Sequence, residues 1–350
     1  MKTLLKNARE QKGLKTREVA QLLHIDQALI SKFENGLRKP TREQLSKLAA
    51  LLEIDFETLL VAWLKEKILY EIGQDEYALK AIQLAEEEIK FNAFQKAYPI
   101  SARLQLLLNE IDNLKEKADR FRQFETEKVT RILELEYTFE SNQLEGNTLS
   151  LDETSAVLFQ GLTIAGKSMR EHLETINHQE AIRHLKQLVE RNGALSEKDL
   201  FSLHNMIIRG IHPEASGKYR TEVLNTPESA YIPPAPALIQ KQIADSFMWY
   251  ETNKNKLHPV VLAAKMLEQL LSIQPFLNGN GKVARLFMNF ILLQNGFVVA
   301  NIKGNPEYRM LFAKICETAA LTKDKEPLLV FIALAEKESL ERYLNVLVQN

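Results

Sequence analysis

The stretch "SIQPFLNGNGKVARLF", residues 272–287, sets two Asn-Gly pairs between two apolar runs, with Lys282 and Arg285 just behind them. The apolar spacing that follows predicts a helix beginning near Lys282. The N–H groups of Gly279, Asn280 and Gly281 can then converge on an anion at the positive end of that helix, and glycine lets the backbone come close. Lys282 and Arg285 stand about one turn apart on one face and add two positive charges. A Walker A loop is excluded, because Phe276 stands five residues before Gly281 and no Ser or Thr follows Lys282. An isolated "GNG" also occurs as a plain helix-entry turn, so the rest of the chain has to decide between turn and cradle. At the entrance stands Gln274, an amide that neither takes up nor releases a proton at neutral pH.

Outside this loop the bulk numbers describe a globular chain. At 350 residues, 45% hydrophobic and 26% charged, it can bury one large core or two to three smaller ones. The net charge of -1 is unevenly distributed: residues 1–47 hold eleven Lys/Arg against five Asp/Glu. A basic head on an acidic body is what a polyanion partner requires, although a solvated surface looks the same. A single cysteine, Cys316, excludes an internal disulfide framework and fits a reducing compartment. No signal-like apolar stretch opens the chain, and "LLVFIALA" at 328–335 is too short to span a bilayer. The expectation is a cytoplasmic protein without a membrane partner.

In residues 1–62, "TREVAQLL", "HID" and "QALISKFENG" read as a helix, a tight connection and a second helix. Val19, Ala20, Leu22 and Leu23, then Ile25, Leu29, Ile30 and Phe33, keep the spacing of two packed helical faces. Thr16 and Asp26 are the expected N-caps, and Gly36 closes the second helix. With a helix before and "TREQLSKLAALLEI" after, residues 4–60 resemble the XRE-type helix-turn-helix of phage repressors. That resemblance implies a five-helix DNA-binding domain whose second motif helix enters the major groove. By position it assigns Gln27, Ala28 and Lys32 to base edges and Thr16, Arg17, Asn35, Arg38 and Lys39 to phosphates. The residue types suit this, since Gln pairs with adenine, Lys with guanine and Ala with a thymine methyl. The same fold also serves as a protein-contact module, and DNA binding would call for a homodimer.

Residues 63–100 have helical spacing broken at Gly73 and read as a helical connector, ending at the "YPIS" break around Pro99. Several stretches of 101–350 then resemble the Fic family, in that family's order: "SNQLEGNTLSLDET" (141–154), "SGKYRTEV" with "YIPPAP" (216–236), and 258–297 around the loop quoted first. The family pattern is HPF, any residue, Asp or Asn, GNGR, any two residues, Arg; here it reads QPF-L-N-GNGK-VA-R. The resemblance implies an all-α Fic fold with a small β-hairpin flap, and transfer of AMP from ATP to a protein hydroxyl. It implies that Asn278 holds Mg2+, that the backbone of Gly279, Asn280, Gly281 and Lys282 binds the α- and β-phosphates, and that Arg285 binds the γ-phosphate.

The departures from the pattern weaken particular steps. Asn for Asp removes a negative charge from a hard-cation site, and Lys for Arg loses the bidentate fork. The family's catalytic His is Gln274 here, and losing a general base costs ~10²- to 10⁴-fold in rate. His258 is expected to cap the helix that starts at Pro259; His204 and His212 are the other histidines considered as substitute bases. Ser141 and Glu145 match the inhibitory motif in which the Glu pairs with the second signature Arg, here Arg285, and so latches the site. Tyr231 and Ile232 on the flap are the residues that would grip a protein target, as an added strand on an exposed edge. Two functions stay open: a latched AMP-transferase with impaired chemistry, or a DNA-binding regulator whose Fic domain senses nucleotide or oligomerises without turnover.

Overall fold

The computed structural model describes residues 1–73, 75–82, 85, 100–191, 196–224, 229–322 and 324–349. They divide into two compact units, 1–88 and 89–350. Among the described residues every regular element is helical.

The first unit contains α1 (Lys2–Gln11), α2 (Thr16–Leu23), α3 (Gln27–Glu34), α4 (Arg42–Leu52) and α5 (Phe56–Ile72). Leu5, Val19, Ile30, Phe33, Leu45, Leu48 and Leu59 close on one another as its core. Asp26 caps α3 as its residue type predicts, accepting from the Ala28 N–H at 2.7 Å. Gly36, at φ +71°, ends that helix in the left-handed region. Thr16 is not a cap: it is the first helical residue, and the helix start is held by Glu18, which accepts from the Lys15 N–H at 2.6 Å. The reach of a Glu carboxylate from the third helical position made the extra hydroxyl unnecessary. Arg9 adds a two-pronged pair to Glu34, at 2.6 and 2.9 Å, and ties α1 to α3. α5 runs on past residue 62, and its Trp63 is buried, donating from Nε1 to the Pro40 carbonyl at 2.9 Å. The later part of the expected connector, 86–99, lies outside the described residues.

The second unit is built from α6 (Ala102–Phe121), α7 (Glu127–Leu144), α8 (Leu151–Gln160), α9 (Met169–Glu190), α10 (Glu197–Ile208), α11 (Pro236–Asn253), α12 (Pro259–Ile273), α13 (Asn280–Gln294), α14 (Pro306–Leu321) and α15 (Glu326–Gln349). Its axis is α13, where Val283, Leu286, Phe287, Met288, Phe290, Ile291 and Leu292 leave no side of the helix in water. α12 packs against it most extensively, with α9, α10, α11 and α15 around the pair. His258 caps α12 as expected, its Nδ1 accepting from the Val260 N–H at 3.2 Å. The connection 274–279 between the two central helices therefore surfaces at one end of the core, which is where the quoted loop sits.

Two extended segments flank that end. In 297–305 four backbone donors are taken by side chains: Val298 by Glu336, Ala300 by Asn289, Asn301 by Ser339 and Gly304 by Glu140. The second segment is the expected flap, and no hairpin is seen among its described residues. The tip, 225–228, lies outside them, and the arms form no ladder. Their polar groups are engaged elsewhere: the Arg220 N–H donates to the Pro275 carbonyl at 2.9 Å, the Ala230 N–H to Glu317 at 2.6 Å. Pro233, Pro234 and Pro236 have no donor to give to a ladder.

Candidate functional site

A cavity of about 270 Å3 opens at the end of α12 and α13, lined among others by Glu145, Tyr231, Gln274, Gly281, Arg285 and Arg309. Gln274 caps α12 in the left-handed region, at φ +45°, a conformation that turns the chain sharply into the loop. Gly279, at φ +78°, leads into α13; a side chain there would press on Ile208 of α10. The Asn280 side chain is spent inside the loop, accepting from the Phe276 N–H at 2.9 Å and donating to the Phe276 carbonyl at 2.8 Å. The helix begins at Asn280, two residues earlier than the apolar spacing implied. This self-bonding by Asn280 starts it.

Gly281 has a different reason. A Cβ there would collide with the Glu145 carboxylate and crowd the Arg285 guanidinium. The carboxylate thus rests against the N-terminus of α13, on the position that free helix N–H groups offer to an anion. Arg285, buried in α13, meets Glu145 at 2.9 Å and also donates to Ser141, to its carbonyl at 3.0 Å and its hydroxyl at 3.1 Å. Desolvation opposes the ionised form of Glu145, but Arg285, Lys282 and Arg309 outweigh it and hold the carboxyl below its ordinary range. The side chain stays 36% exposed, so this pair closes the mouth of the cavity rather than its floor.

Lys282 is turned away from the mouth. It is 5% exposed and faces Glu174 of α9 at 3.4 Å. Burial lowers its pKa, while Glu174 and Glu145 push the other way. Glu174 is itself anchored by Arg170 at 2.8 Å and by the Asn147 amide at 3.2 Å.

None of the histidines stands in for Gln274. His204 lies flat on Phe276, ring centroids 3.6 Å apart, and both nitrogens are engaged: Nδ1 accepts from the Gly217 N–H at 3.1 Å and Nε2 bonds the Asn278 carbonyl at 3.1 Å. Burial lowers its pKa to about 4. His212 faces Glu214 at 3.5 Å and does not line the cavity. The cavity's other carboxylates are committed: Glu268 to Lys265 and Lys325, and Glu317 to Ser229 and the Ala230 N–H.

The flap arms are fixed by one buried arginine. Arg220 donates to the Gln274 carbonyl at 2.8 Å, Glu222 at 2.8 Å, Pro234 at 2.7 Å and Ile273 at 3.3 Å, so it joins both arms to the end of α12. Tyr231 donates to the Ser272 carbonyl at 3.0 Å, while Ile232 is exposed.

In the first unit, Gln27, Ala28 and Lys32 are exposed along α3, as are Arg17, Asn35 and Arg38; Thr16 is half-buried. Lys39 points elsewhere: its ammonium donates to the Glu66 carbonyl at 2.9 Å and lies 4.4 Å from the centre of the Tyr70 ring.

Residues 194–292 match the Fic/DOC family and residues 5–59 match a helix-turn-helix family. The second unit carries a Fic/DOC-family domain. Two protein adenylyltransferases are similar to it: fic-1 of Caenorhabditis briggsae, 31% identical over 216 residues, and Fic of Nematostella vectensis, 30% over 213. These alignments take in 60% of this chain but 41% and 48% of the relatives, so the chain spans less than half their length. Among solved structures, Fic-1 (residues 134–508) of C. elegans superposes with a TM-score of 0.63 at 23% identity, covering 99% of this chain and 98% of that one. A Fic-domain signalling protein of Bacteroides thetaiotaomicron gives 0.62 at 24%, covering 69% and 97%. At these identities the structures speak for the fold alone.

Within the second unit the structure brings together Ser141, Glu145, Gly281 and Arg285, and leaves Lys282 paired inside. Arg309, Glu174 and Arg220 were not singled out from the sequence. Arg309, whose guanidinium lies against Gly146, sits in "NPEYRM", where it reads like any solvent-facing arginine of an amphipathic helix. Arg220 did sit in the "SGKYR" stretch, but nothing in that string says that its partners are four carbonyls.

The family's nucleotide and metal can be weighed against these residues. A carboxylate already fits at the α13 N-terminus beside Arg285, so a phosphate group fits there once Glu145 moves. The metal has poorer provision. Among the described residues no three His, Cys, Asp or Glu side chains cluster to hold an ion. Asn278 offers a neutral amide where Mg2+ prefers a carboxylate besides phosphate oxygens.

Proposed function

We propose that the second unit is a nucleotide-binding Fic domain of the AMP-transferring kind, latched by Glu145 and slowed in its chemistry by Gln274. The observation that carries this reading is the Glu145 carboxylate lying 2.9 Å from Arg285 and against Gly281, where a terminal phosphate would otherwise sit. In the transfer, a target hydroxyl attacks the α-phosphorus of ATP, the bond to pyrophosphate breaks, and the hydroxyl proton goes to a base. Gln274 can orient the hydroxyl but cannot take that proton, which leaves water to do so. The α13 N-terminus and Arg285 hold phosphates, and Asn278 is the residue that would face a weakly held Mg2+. With Glu145 in place the cavity, about 270 Å3, falls just below the ~300–1,000 Å3 usual for small-molecule sites, so opening the latch is part of binding. Tyr231 and Ile232 border the site on the side where a protein target would dock.

The first unit is read as a DNA-binding head, with Gln27, Ala28 and Lys32 toward bases and Arg17, Asn35 and Arg38 toward phosphates. Lys39 is better placed to brace α5 than to meet DNA. A second reading has an observation of its own: the anion site is complete while every candidate base is engaged elsewhere. On that reading the Fic domain senses nucleotide and alters DNA binding, as a monomer or a homodimer, without turnover.

Transfer from α-labelled ATP to the chain itself or to lysate proteins separates the two. Wild type, Glu145→Gly, and Glu145→Gly combined with Gln274→His are compared. Label in Glu145→Gly alone supports a slow transferase, and label only in the double variant supports a sensor with decayed chemistry. No nucleotide binding by Glu145→Gly in calorimetry overturns both.

A further inference from the structure

A second and larger cavity, of about 810 Å3, runs beside α7 from Thr130 to Glu140, between that helix, α9, α15 and the residues that follow α13. It touches none of the residues of the 274–285 loop. Its volume falls inside the ~300–1,000 Å3 range of small-molecule sites. Leu133, Tyr137, Ile182, Leu293 and Phe297 give it an apolar wall.

The charges at its rim do not balance. Each cation there is already engaged: Lys186 with Glu134 at 2.7 Å, Arg342 with Glu136 at 2.6 Å, Lys303 with Glu338 at 2.8 Å, and Arg122 with Asp119 at 3.1 Å. Among the described residues, Glu125, Glu140 and Glu190 line the cavity with no ion-pair partner. Glu125 accepts only from hydroxyls, those of Thr130 and Tyr343. Glu140 accepts only from the Gly304 N–H at 2.6 Å, although Lys303 attracts it from a distance. Burial pushes the Glu140 pKa up, outweighing the Gly304 N–H and the distant Lys303 charge. An apolar wall with surplus carboxylates at its edge complements a molecule with an apolar body and a positive end.

The cavity also borders the latch helix at the relevant place. Glu140 immediately precedes Ser141, which holds Arg285. Tyr137, one turn earlier, contributes to the cavity wall, while its hydroxyl is buried beside Asn289 and lies within the field of Arg285. A molecule that draws on Glu140 and packs on Tyr137 therefore acts on the turn that carries Ser141 and, four residues on, Glu145.

We propose that this cavity binds a small organic cation, an amine carried on one or two rings, and that its occupancy shifts the Glu145 latch through α7. The second half of this statement rests on the latch reading above; the first half does not.

The test titrates the full chain with tryptamine and tyramine, and with indole-3-acetate as an anion of matched shape, by calorimetry. Both amines are expected to bind, and the anion at least tenfold more weakly. Glu140→Gln is expected to weaken the amines about tenfold by removing the half-buried charge, and Leu133→Trp to block them by filling the wall. Thermal melts of both variants check that each is folded, and either one suffices if the other is not. The site is overturned if neither amine binds at millimolar concentration, if the anion binds equally well, or if a folded variant binds amines like the parent chain. Magnesium ATP is then titrated with and without tryptamine. A several-fold change in its affinity supports the coupling, and no change overturns it. If Glu145→Gly binds tryptamine but no ATP, the nucleotide reading fails while the amine site stands.

Discussion

The two ends of the loop at 274–285 are built to different standards. At the phosphate end, Arg285 has Glu145 and Ser141 as partners, Lys282 has Glu174, and Glu174 has Arg170 and Asn147. At the other end, Gln274 lines the cavity and is fixed through its backbone carbonyl by Arg220, and no histidine is among the described residues that line this cavity. If the proposed function holds, binding electrostatics and proton transfer are separable properties of one short segment. A chain can lose the second and retain the first, because an anion site made of helix N–H groups and buried cations does not depend on the residue that removes the proton.

The most severe attempt to break this contrast is to restore the missing group. With the latch opened by Glu145→Gly, adding Gln274→His is expected to raise labelled-AMP transfer by ~10²- to 10⁴-fold while ATP affinity changes little, as kcat and KM would show. A parallel rise in affinity would mean that the two ends are not independent.

Next in size is damage to the phosphate end. Arg285→Ala removes the partner of Glu145 and the donor to Ser141, and is expected to destabilise the domain by about 2–3 kcal/mol in chemical denaturation. That lies below the range for fully buried pairs because Glu145 is 36% exposed. A loss below half a kcal/mol would make the latch a surface contact. Arg220→Met leaves buried carbonyls without donors and is expected to cost about 1–3 kcal/mol, with faster proteolytic cleavage of the flap arms than of the helices. Equal cleavage everywhere would show that Arg220 does not pin the arms.

The smallest expected effect is the dependence on pH. His204 has its folded pKa lowered to about 4 by burial. The unfolded chain therefore takes up a proton below about pH 6.5 that the folded chain refuses, so stability falls as pH drops from 6.5 toward 4. From this ring alone the loss is ~2 kcal/mol at pH 5. His178, fully buried beside Tyr137 and near Lys282 and Arg285, is lowered in the same direction by burial and by those cations. The His204→Gln variant should show a shallower slope between pH 6.5 and 5, and an unchanged slope would show that His204 is not held neutral.

The sequence was most readable where chemistry is local. Asp26 and His258 cap the helices that their residue types predict, and Gly36 takes the left-handed position because a short-range rule governs each. The pairing of Glu145 with Arg285 was also legible, through a resemblance rather than through spacing, since about 140 residues of chain separate the partners, whereas the bonds from Arg285 to Ser141 were not expected. What escaped were choices between chemically equal donors. Thr16 lost its capping role to Glu18, and the flap arms found Pro275 and Glu317 instead of each other. Arg309 escaped because a cation that faces a cavity and one that faces water have the same neighbours in the string.

One atom's absence at Gly281 governs more than the loop's shape. The bare Cα is where the Glu145 carboxylate rests, and the proposed function gives the same surface to a phosphate. On the proposed reading guard and guest compete for one footprint, and a methyl group there would evict both. No substitution at that position can open the gate while leaving the seat intact, so any variant that uncouples them has to be sought on α7 or on Arg285.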